Sequence, residues 1–151
     1  MNDQTPCVET QMLIRKPCQE VFQAFQNPEI TRNFWFTKGS DKLVEGAEVV
    51  WEWEMYQLST NVKVLKVQRG EIISIEWGTP VTRVDFVFQP IGNDTTYVVI
   101  KSWGFKEKGE ELLKILMDNT GGFTTVLDGL KCYLEHGINL NLIADKFPKG
   151  K

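Results

Sequence analysis

The order of hydropathy patterns along the chain restricts its fold more than any single motif does. Seven stretches alternate apolar and polar residues at strand spacing, or come close to it, and a strongly amphipathic helical pattern follows them near the C-terminus. Short connections between consecutive stretches force antiparallel pairing. We therefore predict an α+β fold class, with one curved antiparallel sheet of six or seven strands, two short helices and a long C-terminal helix packed over it.

The stretch at 47–55 shows the alternation clearly, because apolar residues share one face of the strand and acidic residues the other. The apolar face carries Val49, Trp51, Trp53 and Met55, and the acidic face carries Glu48, Glu52 and Glu54. Six of the predicted strands have definite ranges, at residues 7–15, 47–55, 60–68, 71–77, 81–89 and 95–103.

Turn and cap residues predict the helices. A first helix starts at Pro17 and ends at Asn27-Pro28, and a short second helix begins near Glu29. The long helix starts at Gly121-Gly122 and ends at Gly137, which suits a left-handed cap. Its apolar stripe is Phe123, Val126, Leu127, Leu130 and Leu134. A short helical piece around 112–116 precedes it, and the polar, basic tail through Pro148 is expected to fray.

Length and charge limit the function classes. The 151 residues, 42% of them hydrophobic, predict a single domain over 1–151 with an ordered core at about 7–147. A net charge of -3 offers no field for nucleic acid or anionic lipid. No apolar run approaches the roughly 18 residues of a membrane span, so we expect a cytoplasmic protein without a membrane partner.

Three motifs resemble those of a known family. They are Pro17-x-x-x-Val21-Phe22-x-Ala24-Phe25-x-Asn27-Pro28-Glu29 followed by Phe34-Trp35, then Ile75-Glu76-Trp77, and last Gly121-Gly122-Phe123-x-x-Val126-Leu127-x-x-Leu130-Lys131-x-Tyr133-Leu134-Glu135. Over nearly its whole length the chain resembles the helix-grip proteins of the START and Bet v superfamily. Within them it is similar to the branch named after the C-terminal domain of the activator of the heat-shock protein 90 ATPase. That branch commonly has tryptophan where this chain has Phe123, which keeps the ring without an indole donor.

Aromatic side chains are expected to project into the space between sheet and helix. The residues alone leave open whether they fill a core or line a cavity. The resemblance implies a cavity, because helix-grip relatives hold hydrophobic ligands between these elements. The predicted ligand is a hydrophobic or aromatic small molecule, or a lipid-like one, and no cofactor is predicted. The expected ligand-binding residues are Trp35, Trp51, Trp53, Trp77, Phe86, Phe88, Phe123, Leu127 and Leu130.

Cys132 and His136 have the i, i+4 spacing of two metal ligands or a thiolate pair. Helical geometry places both opposite the apolar stripe, facing solvent, and zinc needs three or four ligands. The odd number of cysteines, three, and the lack of a C-x-x-C pair argue against disulfides and structural zinc. No metal site is predicted.

Three further groupings have a catalytic interpretation and a structural one. Glu52 and Glu54 stand about 7 Å apart, as paired catalytic carboxylates do, but the solvated outer sheet face explains them better. Arg83 and Asp85 are expected in a cross-strand surface ion pair. Gly121-Gly122 lacks the spacing of a phosphate loop, so we expect it to allow close packing of the helix on the sheet. No catalytic residue is predicted.

Two alternatives to ligand binding remain open. One is a stand-alone co-chaperone-like interaction module with a chaperone partner, which an exposed apolar patch on the convex face of the sheet favours. The other is an enzyme similar to polyketide cyclases or hydrolases, which an ionisable group buried in the cavity favours.

Overall fold

A computed structural model describes residues 5–150 of the chain. This part of the chain forms seven strands, four α-helices and one 3-10 turn. The sheet is antiparallel, with the strand order β1-β7-β6-β5-β4-β3-β2. The α+β, helix-grip architecture predicted from the sequence is confirmed. The elements are β1 Cys7–Ile14, α1 Cys18–Gln26, α2 Pro28–Thr31, β2 Lys38–Gly39, β3 Glu48–Trp53, a 3-10 turn Glu54–Tyr56, β4 Leu58–Gln68, β5 Ile72–Trp77, β6 Thr82–Ile91, β7 Thr95–Trp103, α3 Gly109–His136 and α4 Leu142–Lys146.

The pairing register separates an inner sheet face from an outer one. Residues directly opposite each other in antiparallel strands point to the same side. Phe86 of β6 pairs with Ile73 of β5 and Ile100 of β7, and all three are buried. Arg83 and Asp85 alternate with the inner residues of β6 and therefore lie on the outer face. The helices cover the inner face, where most of the core lies.

Helix α1 covers the inner face at β6 and β7, and α2 packs against α1 and β2. The Asn27 side chain accepts a hydrogen bond from the backbone N–H of Glu29 at 3.1 Å, which starts α2 beside Pro28. The buried side of α1 contributes Phe22, whose ring lies 5.4 Å from that of Phe88. Both short helices occur where the proline and asparagine signals predicted them.

Helix α3 is longer than predicted. It runs without a break through 28 residues, so the predicted short helical piece and the long helix are one element. Gly121 and Gly122 lie in its interior, because packing of the following apolar stripe outweighs their poor helix propensity. Gly137 ends the helix in the predicted left-handed conformation, with φ of 69°.

The close approach of α3 to a neighbouring segment, expected at Gly121-Gly122, occurs about two helical turns later, at Gly129. A Cβ on Gly129 would lie 3.2 Å from the carbonyl oxygen of Phe34. A Cβ on Gly122 would meet no heavy atom within 4 Å, and one on Gly121 would meet the Lys146 ammonium at 3.1 Å. The expected close packing of the glycine pair on the sheet is therefore wrong.

The C-terminal end of α3 is fastened to the end of β1. The Lys131 ammonium donates hydrogen bonds to the Leu13 carbonyl at 2.8 Å and to Glu135 Oε2 at 2.7 Å. The same carboxylate oxygen accepts from the backbone N–H of Arg15 at 2.8 Å. Partial burial alone raises the pKa of Glu135, but these hydrogen bonds outweigh it and hold the pKa below its usual value.

The segment after α3 does not fray as expected. Helix α4 lies against α3, and its Ile143 carbonyl accepts a 2.6 Å hydrogen bond from the Tyr56 hydroxyl. Tyr56 belongs to the 3-10 turn, which reverses the chain between the paired residues Trp53 and Leu58. Because this reversal begins right after Trp53, Met55 is exposed and does not share its strand face. No helix within residues 5–150 is long and apolar enough to cross a membrane.

The Glu135 clamp predicts an acid-sensitive contribution to stability. We expect Glu135→Gln to lower the free energy of unfolding at pH 7 by about 1–2 kcal/mol, because hydrogen bonds to a charged acceptor are lost. The folded pKa lies below the ordinary value of 4.5, so the contribution is complete above that value and disappears as the pH falls through the folded pKa.

Urea unfolding at stepped pH values between 7 and 3 measures this difference. Asp128→Asn is the matched control, since Asp128 is exposed on the same helix. The stabilities of the wild type and Glu135→Gln should converge in acid. A difference that stays constant over this range would contradict the assigned role.

Candidate functional site

A cluster of aromatic rings fills the space between α3 and the strands β3, β5 and β6. Trp35 is its centre: its ring centroid lies 4.9 Å from that of Trp51, 5.7 Å from Trp77 and 6.2 Å from Phe123. Trp77 and Phe123 are 6.0 Å apart. These are the distances of interacting aromatic pairs. Sheet and helix thus meet through one continuous aromatic cluster.

The segment that carries Trp35 is held at both ends. The backbone N–H of Trp35 donates to the Thr31 carbonyl of α2 at 3.0 Å. Two residues further on, both the backbone N–H and the hydroxyl of Thr37 donate to the Glu52 carbonyl of β3, each at 2.9 Å. These bonds direct the Trp35 ring inward, where it is only 6% exposed.

Apart from Trp35, which the segment after α2 carries, the residues expected to bind ligand lie on the inner face of the sheet or on the buried side of α3. Trp51 and Trp53 alternate along β3 and contact Trp35, while Trp77 ends β5 and is half-buried. Leu127 and Leu130 continue the α3 stripe beyond Phe123 and are fully buried.

The cluster also includes phenylalanines that were not among the expected site residues. Phe36 stacks on Trp51 at 4.9 Å, and Phe25 of α1 lies 5.1 Å from Phe86 and 5.7 Å from Phe88. Phe25 also contacts Phe34 at 5.5 Å. Their apolar character was visible in the sequence, but the packing of α1 against β6 that adds Phe25 to the cluster depends on tertiary structure.

A small cleft borders the cluster beside Trp35. Its volume is about 70 Å³, and it lies between α3, the segment after α2 and the chain leading into α4. Phe34, Trp35 and Gly129 line its inner side, and residues 139–144 line its outer side. The Tyr56–Ile143 hydrogen bond holds that outer side in place. Residues 139–144 therefore lie between the Trp35 side of the cleft and solvent.

The polar groupings lie elsewhere. Of the pair expected to face solvent, His136 is exposed but Cys132 is half-buried. Helix α3 is covered by α4 as well as by the sheet. Glu52 is 3.9 Å from Lys38 across the β2–β3 pair, whereas Glu54 belongs to the 3-10 turn. The two carboxylates therefore do not share a strand.

Arg83 and Asp85 contact each other along β6 at 3.5 Å, so the expected cross-strand pairing is wrong. Lys101 stands opposite Asp85 in the register, but its ammonium lies 3.7 Å from the carboxylate of Glu9 on β1. The ion-pair partner of Asp85 is therefore Arg83, on its own strand. The Arg83 guanidinium also lies over the ring of Trp103, 5.3 Å from its centre. This network belongs to the outer sheet face.

The two cysteines near the strand ends are poor nucleophiles. Burial, followed by the nearby carboxylate of Glu9, raises the pKa of Cys7. Burial also raises the pKa of Cys18, whose thiol donates a hydrogen bond to the Gly70 carbonyl at 3.1 Å. Both groups therefore stay protonated at neutral pH.

Comparisons with known proteins agree with this architecture. The family model for "Activator of Hsp90 ATPase homolog 1-like protein" matches residues 15–135. The crystal structure of protein SSP2350 from Staphylococcus saprophyticus is 27% identical, with a TM-score of 0.79 over 89% of this chain and 96% of that one. A comparison with curated proteins gives no match.

Two more distant structures share the fold. The Aha1 dimer from Colwellia psychrerythraea is 16% identical, with a TM-score of 0.73 over 87% of this chain and 98% of that one. CalU16 from Micromonospora echinospora is 18% identical, with a TM-score of 0.69 over 91% of this chain and 79% of that one.

Phe123 tests how tightly the cluster is packed. We expect Phe123→Ala to reduce the free energy of unfolding by about 3–5 kcal/mol, because it leaves a cavity beside Trp35 and Trp77. Met117→Ala is the control, since Met117 is exposed on the same helix. Urea midpoints and slopes measure both effects. A loss well below 3 kcal/mol would mean that Phe123 borders a void already present.

Proposed function

The chain belongs to the family of Activator of Hsp90 ATPase homolog 1-like proteins, and we propose that it binds a hydrophobic or aromatic small molecule between the sheet and α3. One observation supports this proposal more than any other. The aromatic cluster around Trp35 extends from the core to the half-buried Trp77 and to the cleft under residues 139–144. Apolar walls that reach the surface beside a cleft are typical of small-molecule sites.

The proposed site provides flat apolar surfaces. A planar ligand inserted beside Trp35 would replace ring–ring contacts within the cluster with ring–ligand contacts of the same kind. Aliphatic side chains of α3 close the site from above. The proposed ligand-binding residues are Trp35, Trp51, Trp53, Trp77, Phe86, Phe88, Phe123, Leu127 and Leu130.

The attachment of α4 determines access to the proposed site. Helix α4 is held by the Tyr56–Ile143 hydrogen bond and by a longer bond of 3.3 Å from the Lys146 ammonium to the Thr125 hydroxyl. Movement of α4 would open the cleft to Trp35 and leave the sheet and α3 in place.

Tryptophan fluorescence tests the proposal, because the chain has tryptophans on both sides of the sheet. We expect 4-phenylphenol to change the emission saturably, with a Kd in the micromolar range, about -8 kcal/mol. The change should be much smaller in Trp35→Phe. It should persist in Trp103→Phe, because Trp103 lies on the outer face opposite Arg83.

Native mass spectrometry of freshly purified protein complements the titration by detecting a small molecule that co-purifies. Equal emission changes in the Trp35 and Trp103 variants would place the ligand outside the proposed site. No saturable response from a panel of aromatic compounds and fatty acids, together with no thermal shift, would leave the cluster as a purely structural core.

A protein-interaction module is the second candidate function. Leu113 and Met117 lie one turn apart on the first half of α3 and are 58% and 65% exposed. Large apolar side chains grouped in this way on a surface helix are typical of protein contacts. The Colwellia relative, whose structure is described as a dimer, makes a second copy of the chain one partner to consider.

Light scattering with size-exclusion chromatography tests this second candidate. If the surface pairs copies of the chain, Leu113→Glu/Met117→Glu should shift a dimer to the monomer mass and retain the wild-type free energy of unfolding within about 0.5 kcal/mol. Val81→Glu, at an exposed apolar residue away from α3, is the control. A monomeric wild type at high concentration would exclude self-association.

A further inference from the structure

Three buried hydroxyl side chains lie on the inner sheet face under the helices, and they differ in one respect. Thr96 is fully buried and donates to the Lys16 carbonyl at 2.9 Å. Thr10, 4% exposed, and Ser102, fully buried, have hydroxyl oxygens that are shielded from solvent and have no hydrogen-bond partner among residues 5–150. A buried hydroxyl without a partner destabilises a fold, and an apolar residue of the same shape does not.

The two unpartnered hydroxyls are neighbours. Thr10 stands opposite Ile100, and Ser102 stands opposite Val8, so they lie on adjacent strands of the same face, one diagonal step apart. The strand β7 that carries Ser102 is two strands away from β5, which ends at Trp77. At a strand spacing of about 4.8 Å, the hydroxyl pair is on the order of 10 Å from Trp77, while Phe86, the nearest ring of the cluster, pairs with Ile100 on the adjacent strand.

We propose that Thr10 and Ser102 form the polar end of the ligand site, where they hydrogen-bond a hydroxyl or carbonyl group of an elongated, uncharged aromatic molecule. This inference rests on the proposed function. The rings around Trp77 take the ring end of the molecule, and the two side chains take the other end, roughly 10 Å away. The ligand supplies the partners that Thr10 and Ser102 lack in the free protein.

The surroundings require the polar group of the ligand to be neutral. The inner-face residues of β1, β5, β6 and β7 in the described chain include no charged side chain. An ionised carboxylate or phosphate placed there would be buried without a counter-ion, which is strongly unfavourable. The site therefore selects alcohols, phenols or ketones and rejects fatty-acid carboxylates.

A pair of probes separates the polar end from the aromatic end. The probes are 4-phenylphenol and biphenyl, which differ by one hydroxyl group, and titration calorimetry gives their Kd values. In Thr10→Val/Ser102→Ala we expect the Kd of 4-phenylphenol to rise about tenfold, as the loss of one or two hydrogen bonds implies. The Kd of biphenyl should stay within about threefold.

Thr96→Val is the matched control, because it removes a buried inner-face hydroxyl that already has a partner. It should change neither Kd appreciably but should lower the urea midpoint, since the Lys16 carbonyl loses its donor. The double variant should keep or raise the urea midpoint.

Thr10→Ser retains the hydroxyl and should bind 4-phenylphenol as the wild type does. If the double variant does not fold, Thr10→Val and Ser102→Ala separately carry the same comparison.

The outcomes distinguish this inference from the proposed function. An unchanged Kd of 4-phenylphenol in the double variant, or an equal loss of both probes, would overturn the polar end and leave ligand binding standing. Failure of the wild type to bind either probe would count against the proposed function itself, and the polar end would fall with it.

Discussion

The packing of Trp35 against the sheet and α3 is the interaction on which the rest of the structure depends. Its ring contacts rings from β3, β5, β6 and α3, so one side chain from an irregular segment joins elements far apart in the chain. Hydrogen bonds hold the segment on both sides of Trp35: the Thr31 carbonyl accepts from the Trp35 N–H, and Thr37 donates to the Glu52 carbonyl. Removing the ring would leave a cavity between α3 and these strands, which the surrounding side chains fill only in part.

The two C-terminal helices are held with very different strength. Helix α3 buries an apolar stripe and ends in a charged clamp in which Glu135 and Lys131 each make more than one bond. Helix α4 is five residues long, has no fully buried residue, and is held by the Tyr56 hydrogen bond, a longer one from Lys146 and the partial burial of Ile143. Local opening starts where few apolar contacts must break. The fold thus places a firmly attached helix and a more weakly attached one on the same side of the aromatic cluster.

Much of this architecture follows from the sequence, because the alternation of apolar and polar residues identifies each strand and also shows which of its faces points to the core. The same alternation that placed Trp51 in the core places Thr10 there, although only the structure shows that its hydroxyl has no partner. The start of α3 was mispredicted because Gly121-Gly122 has the local signature of a boundary, and tertiary packing overrides local propensity. Helix α4 was missed because its support comes from Tyr56, 87 residues away from Ile143.

The clamp between α3 and β1 also shapes how the chain acquires its structure. The strand at the start of the described chain pairs only with β7 and lies at the edge of the sheet, and its end is bonded to a carboxylate 120 residues further on. Closing so long a loop costs entropy before its contacts form, and dominance of such distant contacts slows folding. Until residue 135 has been synthesised, the clamp at the end of β1 cannot form, although the pairing partner β7 is already present. The last turns of α3 therefore complete the attachment of an edge strand that has one neighbour in the sheet.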